Sequence, residues 1–165
     1  MSAPAPSPPA DPVSIEVEGE KATLIFRRRL RHPPEVVWQA LTDPKALRQW
    51  FLTDATIEGR VGGRVDLIQG PYRAHATGHV LAWDPPRLLE YDTHVAPQER
   101  LPEGIDGVIR WELLPQAGGT LLVLTFRGLS KPLATTFAGG LKGFLARLEA
   151  QLDGRTLPEW QPRDA

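Results

Sequence analysis

The hydrophobic pattern of the chain changes its period near the C-terminal end. Across residues 132–154, large apolar side chains recur at steps of mostly three or four, and they are Leu133, Phe137, Leu141, Phe144, Leu145, Leu148 and Leu152. This spacing predicts one apolar face on an α-helix. Pro132 can begin the helix, since its missing N–H would be unsatisfied there, and Gly154 can end it in a left-handed cap. A single amphipathic helix must bury its apolar face, and here only a sheet is available.

Three glycines, Gly139, Gly140 and Gly143, interrupt the predicted helix. Each costs about 1 kcal/mol of helix propensity relative to alanine. They either allow a close approach of helix to sheet, or a kink, or they leave room for a molecule bound under the helix. The first interpretation is the simpler one.

The residues before this helix alternate between apolar and polar, and a period of two predicts strands. The predicted strands are two arms around Gly19 within 14–30, and then 53–58, 64–69, 74–83, 88–95, 108–114 and 120–126. Two short helices, 34–41 and 45–50, follow the first strands. The predicted class is α+β, with a curved antiparallel sheet of about six to seven strands around the long C-terminal helix.

The length of 165 residues predicts a single domain, which we place at residues 13–154. Residues 1–12 are rich in Pro, Ala and Ser, which predicts a disordered tail. Residues 155–165 are expected to form a loose C-terminal tail, in which Trp160 can fold back onto the body. The net charge of −1 gives no electrostatic argument for binding nucleic acid or an anionic membrane.

The chain contains no cysteine, which excludes disulfides, thiol nucleophiles and cysteine-ligated zinc. No apolar run approaches the roughly 18 residues needed to span a membrane. The N-terminus lacks the basic start and apolar core of a signal peptide. We therefore expect a cytoplasmic protein that does not insert into membranes.

Charged residues on the predicted strands are expected to be solvated. A basic run is formed by Arg27, Arg28, Arg29 and Arg31. On a strand these side chains point to alternate faces, and we expect them to decorate an edge or the surface. The acids Glu90, Asp92 and Glu112 fall opposite the apolar set and are predicted to lie on the outer face of the sheet.

Two of the four histidines, His75 and His79, have the i, i+4 spacing that suits a metal pair on a helix. On the predicted strand four residues span roughly 13 Å, so no metal site is predicted. A three-residue loop at the following turn would set His79 opposite Tyr91 and face both inward. A four-residue loop would set it opposite Asp92 instead. We favour the first register.

Four segments carry a resemblance to a known family: 37–51, 60–65, 78–93 and 109–126. In order and spacing they resemble the START-like helix-grip (SRPBCC) superfamily, and within it the branch named after the C-terminal domain of the heat-shock-protein-90 ATPase activator. Two features depart from that branch. The chain has no room for the separate N-terminal domain of the co-chaperone, and Phe126 stands where many relatives have a polar residue, often histidine.

The resemblance implies that the sheet and the long helix enclose a hydrophobic cavity. Alternation predicts that Leu89, Tyr91, Thr93, Ile109, Trp111, Leu113, Leu122, Leu124 and Phe126 face inward. Tyr91 and Trp111 are the strongest candidates for ligand contacts, because each carries a polar group that needs a partner. The full set of candidate ligand-binding residues is Trp50, His79, Tyr91, Trp111, Phe126, Phe137, Leu141 and Phe144.

The predicted function is non-catalytic binding of a small apolar molecule. Motifs for a serine nucleophile, a dinucleotide or a phosphate loop do not occur, and neither a cofactor nor a metal is predicted. One alternative is a cyclase- or lyase-type enzyme that uses His79 and Tyr91 for proton transfer. Another is a chaperone-cofactor-like or regulatory interaction module, with a protein partner or a homodimer left open.

Overall fold

The computed structural model describes residues 13–160. Within them the strands are β1 (Val13–Glu18), β2 (Lys21–Leu30), β3 (Thr53–Ile57), β4 (Arg64–Gln69), β5 (Ala74–Asp84), β6 (Leu88–Val95), β7 (Ile105–Gln116) and β8 (Gly119–Ser130). The helices are α1 (Pro34–Thr42), α2 (Pro44–Trp50) and α3 (Lys131–Leu152). The predicted tail 1–12 and residues 161–165 lie outside the described residues. In the described part of the chain, no helix is long and apolar enough to cross a membrane.

The strands form one antiparallel sheet in the order β1-β2-β8-β7-β6-β5-β4-β3. The predicted α+β class, with two short helices after the first strands and a long helix at the end, is confirmed. The described residues contain eight strands rather than six or seven, because both arms around Gly19 pair with each other. Gly19 has φ +63°, a conformation that glycine adopts without steric cost.

The long helix α3 begins and ends within about two residues of the predicted limits. Ser130 caps its N-terminus by accepting a hydrogen bond from the Leu133 amide, at 3.3 Å. Pro132 lies in the first turn, and Gly154 follows the helix with φ +69°. The helix packs on the inner face of the sheet, so the predicted helix-grip arrangement is confirmed.

The inner face of the sheet carries the core. Every residue that alternation places inward on β6, β7 and β8 is buried, with at most 5% of its surface exposed. On α3, burial is greatest in the C-terminal half, at Phe144, Leu145 and Leu148. The period of two and the helical period therefore locate both sides of the core correctly.

The predicted inward orientation of His79 is wrong. The loop after Asp84 does contain three residues, since Asp84 pairs with Leu88. However, a register shift between Val80 and Ala82 introduces a β-bulge, and Val80 becomes the partner of Tyr91. An extra residue turns every side chain beyond it to the other face, so His79 is exposed on the outer face.

The predicted surface position of the arginine run is wrong for Arg28. Its neighbours Arg27 and Arg29 are exposed, whereas Arg28 points inward with only 6% of its surface exposed. Its guanidinium lies 3.3 Å from the Glu149 carboxylate on α3. A buried charge requires an ionic or hydrogen-bonding partner, and this pair links the sheet to the last turns of the helix.

Candidate functional site

Seven of the eight predicted ligand-binding residues lie together between the sheet and the helices. We call this set the inner-face cluster, and it consists of Trp50, Tyr91, Trp111, Phe126, Phe137, Leu141 and Phe144. The eighth, His79, lies on the opposite face of the sheet. The sheet supplies Tyr91, Trp111 and Phe126 from three neighbouring strands, in the register Tyr91↔Ile109 and Ile109↔Phe126. The strand pairing thus sets their positions.

Trp50, the last residue of α2, is fully buried. Its indole N–H donates to the Ala40 carbonyl at 2.7 Å, which fixes the ring relative to α1. The ring meets Trp111 edge-on, with centroids 6.2 Å apart, and stacks on Phe51 at 4.8 Å. Such aromatic pairs are each worth about 0.5–1.5 kcal/mol beyond the area that they bury. Trp50 therefore belongs to the closed interior of the molecule.

The two halves of α3 cover the sheet unequally. The C-terminal half contributes the fully buried Leu145 and Leu148. In the N-terminal half, Leu133, Phe137 and Leu141 are only partly buried. Across this half, Phe137 is tilted against Phe126 with centroids 6.0 Å apart. The N-terminal half of α3 is therefore the more open side of the site.

A row of aromatic rings leads from the interior to the surface. Beyond Trp50, Phe51 meets Phe144 edge-on at 5.0 Å, and Phe144 stacks on Trp160 at 4.7 Å with ring planes 14° apart. Trp160 contacts Tyr72 at 6.5 Å, and the Arg100 guanidinium lies 4.2 Å above the Tyr72 ring. A ligand that moved along this row between the surface and the inner face would therefore contact aromatic side chains throughout.

Tyr91 supplies a buried polar group within the cluster. Burial raises the pKa of its hydroxyl to about 12, since desolvation disfavours the charged phenolate. A side-chain hydrogen bond with Trp111 acts in the opposite direction and lowers the pKa. At neutral pH the hydroxyl is protonated, and it is able to donate a hydrogen bond to a bound molecule.

The raised pKa of Tyr91 predicts a loss of stability at alkaline pH. The folded-state pKa lies above the ordinary tyrosine pKa of 10.0, so the stabilising contribution is complete below pH 10 and is lost as pH rises through about 12. A shift of this size corresponds to roughly 2–3 kcal/mol. Urea unfolding between pH 9 and pH 12 should show the free-energy difference between wild type and Tyr91→Phe shrinking by that order. The exposed Tyr72→Phe is the control, and an equal shrinkage in both variants would contradict the assignment.

The segment that carries the inner-face cluster matches a known protein family. The model of the family described as "Activator of Hsp90 ATPase homolog 1-like protein" matches residues 31–153. The chain belongs to this family. The matched segment includes every residue of the inner-face cluster. No curated protein matches the chain.

Several solved structures share the fold of this member of the Hsp90-activator-like family. A protein of Mesorhizobium loti is 27% identical with a TM-score of 0.72, and the match covers 82% of this chain and 99% of that one. CalU16 of Micromonospora echinospora, in its solution structure, is 26% identical with a TM-score of 0.70, covering 94% and 81%. A protein of Rhizobium leguminosarum, at 23% identity and a TM-score of 0.65 over 87% and 99%, shows the fold alone.

In this Hsp90-activator-like protein the outer face of the sheet is polar. Glu90 is bridged by Arg110 at 3.2 Å and Arg127 at 3.5 Å, and Arg110 also meets Glu112 at 3.1 Å. The predicted outward orientation of these acids is therefore correct, although Glu90 is largely covered by its partners. An open depression of about 380 Å³ on this face is lined by Arg64, Thr77, Gly78, His79 and His94.

His79 in this depression is positioned by its backbone. The His79 amide donates to the Asp92 carboxylate at 2.6 Å, and a Cβ at Gly78 would collide with the Asp92 carbonyl oxygen. Gly78 thus allows β5 and β6 to approach closely beside the bulge in β5. Within the described residues, no group of three or more histidines and acids is placed to hold a metal ion.

The sequence did not point to Phe51, Tyr72 or Arg147 as parts of the site. Arg147 is off the apolar stripe, yet its guanidinium donates to the carbonyls of Gln49 at 2.6 Å and Trp50 at 3.0 Å. It thereby ties α3 to the end of α2. The second half of the helix also carries Lys142, Glu149 and Gln151, so the charge of Arg147 gave no signal for this role.

Proposed function

We propose that this protein binds a small apolar molecule between the sheet and the N-terminal half of α3, without catalysing a reaction. Membership of the Hsp90-activator-like family fits a ligand-binding or regulatory role. The observation that carries the proposal is the partial burial of Phe137 and Leu141 on α3, where Phe137 contacts Phe126 of the sheet. Apolar side chains left partly open over an apolar floor are the features that a small hydrophobic ligand would cover.

The free energy gained on such binding depends on the apolar area that the ligand covers. Each Å² of apolar surface removed from water contributes about 25 cal/mol. In the protein alone, the side chains of the inner-face cluster already fill much of the space with ring-to-ring contacts. A ligand must therefore displace the N-terminal half of α3, which is the side with the fewest fully buried residues. The Tyr91 hydroxyl, which accepts the hydrogen bond from the Trp111 indole, keeps its own hydrogen to orient the ligand.

The geometry argues against the enzyme alternative. That alternative needs His79 and Tyr91 within hydrogen-bond reach inside one pocket. Their side chains point to opposite faces of the sheet, because of the bulge in β5. Because Phe126 is apolar, the inner face of the sheet offers few polar groups that could hold an oxyanion.

A second candidate, a regulatory interaction module, is favoured by an apolar strip on the edge strand β1. Val13, Ile15 and Val17 are 42%, 42% and 54% exposed. Their pairing with inward residues of β2 places all three on the inner-face side of the sheet. Contiguous exposed apolar residues mark interaction surfaces more often than chance. A failure of ligand binding in the experiment below would favour this candidate.

The ligand-binding proposal is tested with a naphthalene-sulfonate fluorescent probe. Native protein should bind the probe, and acyl or aromatic compounds should displace it. Phe137→Asp should weaken binding about tenfold or more, since it replaces apolar contact with a charge. Thr136→Asp places the same charge on the exposed neighbouring position and should leave binding unchanged. His79→Ala, on the outer face, should also have no effect.

Near-ultraviolet circular dichroism of each variant confirms that native packing is retained, because molten states also bind such probes. Two results would refute the proposal. One is a native protein that takes up no probe. The other is an equal loss of binding in Phe137→Asp and Thr136→Asp, which would show that the probe responds to charge alone.

A further inference from the structure

The segment that follows α3 places one side chain against the helix. Trp160 stacks on Phe144 at 4.7 Å, and its indole N–H donates to the Gly140 carbonyl at 2.9 Å. Tyr72 meets its edge at 6.5 Å. We call this position the Trp160 slot, formed by Gly140, Gly143, Phe144 and Tyr72. The slot can bind a flat ring by stacking it on Phe144, and the Gly140 carbonyl can accept a hydrogen bond from a donor on that ring.

The glycines of α3 form the floor of the Trp160 slot. A Cβ at Gly143 would lie 3.0 Å from Cδ1 of Trp160, and one at Gly140 would lie 3.3 Å from Cζ2. Contacts this short require the ring to shift. Each glycine costs the helix about 1 kcal/mol relative to alanine. The two residues therefore allow a planar ring to approach the helix backbone, rather than a close approach of helix to sheet.

The Trp160 slot also adjoins the interior. Phe144 has the Trp160 ring on one side and Phe51 on the other, and Phe51 in turn stacks on the buried Trp50. Trp160 itself is only partly buried and belongs to a stretch without regular secondary structure. That stretch is held by Arg147, which donates to the Pro158 carbonyl at 2.6 Å. The occupant of the slot is thus a partly buried side chain on an irregular segment, near the surface end of the aromatic row.

We infer that the Trp160 slot is a binding site for a planar aromatic molecule that carries an N–H or O–H donor, and that the Trp160 side chain occupies this site until such a molecule displaces it. The inference rests on the proposed function, because it names the class of ligand and a place beside the inner-face cluster where that ligand binds. A tethered side chain competes at a high effective concentration, on the order of millimolar. Free ligand therefore binds the wild-type chain more weakly than it binds an open slot.

Calorimetric titration with indole and with N-methylindole tests the inference. Trp160→Ala should bind indole at least tenfold more tightly than wild type, since the competing ring is removed. It should also prefer indole over N-methylindole by roughly threefold to tenfold, the size expected for one neutral hydrogen bond. Glu159→Ala, an exposed change in the same segment, should behave as wild type.

A second variant tests the location. Adding Gly143→Leu to Trp160→Ala places a good helix former where the ring was, so folding should be retained while indole binding is lost. Indole binding that is no tighter in Trp160→Ala than in wild type would overturn the inference, as would binding that survives Gly143→Leu.

The two proposals fail separately. If Phe137→Asp weakens naphthalene-sulfonate binding but Trp160→Ala gains no indole affinity, the apolar site stands and the slot is refuted. If indole binds Trp160→Ala tightly while Phe137→Asp and Thr136→Asp leave the naphthalene-sulfonate probe equally bound, the slot stands and the site under the N-terminal half of α3 is refuted.

Discussion

Replacing Trp50 with alanine is expected to cost about 3–5 kcal/mol, the range measured for large aromatic truncations in cores. The side chain is fully buried, and its loss leaves the Ala40 carbonyl without its 2.7 Å donor. The contacts with Phe51 and Trp111 disappear together. Since domains of this size are stable by roughly 5–15 kcal/mol, such a variant is near the limit of folding. Urea or guanidinium unfolding measures the loss.

The matched control for this variant is Trp160→Ala. Trp160 also stacks on a phenylalanine and donates to a carbonyl, but it is only partly buried and lies nearer the surface in the aromatic row. We expect its removal to cost much less than the loss of Trp50. Equal free energies of unfolding for the two variants would contradict this expectation, because Trp50 would then stabilise the fold no more than Trp160 does.

Leu148→Asp is expected to unfold the protein or nearly so. Leu148 is 0% exposed on the inward face of α3, and an ionised carboxylate there has no bulk water to solvate it. Burial of an unpaired charge costs several kcal/mol even after relaxation. Lys142→Asp, on the exposed face of the same helix, should change stability by less than about 1 kcal/mol. Thermal melts compare the two, and similar melting temperatures would contradict the observed helical phase.

The apolar stripe of α3 shows which features of a helix periodicity predicts and which it does not. Steps of three and four predicted the apolar stripe of α3, including Leu141 and Leu148. Periodicity does not show which part of a stripe meets the sheet. The structure shows Leu148 fully buried and Leu141 partly buried, because the two halves of the helix cover the sheet unequally. That inequality arises from tertiary packing, which the period of a pattern along the chain does not record.

His79 and Arg28 show two further limits. Alternation assigned the neighbouring strands correctly, but the bulge near Leu81 reversed the face of His79. A bulge adds one residue without altering composition, so a local pattern does not reveal it. Arg28 was placed on the surface because of its charge, and its partner Glu149 is more than a hundred residues away in the chain. Long-range pairing of this kind is not encoded in any short window.

The glycines of α3 were the most informative unexplained feature of the sequence. They indicated either a close approach or a vacant space. The structure shows Trp160 packed against Gly140 and Gly143. The sequence contained both halves of this contact, the glycines and a tryptophan that was able to fold back, but nothing that joined them. Only the chain path after Gly154 brings them together.

The place of β8 in the sheet has a consequence for how the molecule assembles. β8 pairs with β2 across roughly a hundred intervening residues, from Lys21↔Ser130 to Leu30↔Thr120. Loop-closure entropy for such a pairing must be overcome before its contacts stabilise the chain, which slows folding. During synthesis β2 is complete long before β8 emerges, and α3 emerges after both. The apolar face of the growing sheet therefore stays uncovered through most of translation, and this interval is when a chaperone would have the most surface to hold.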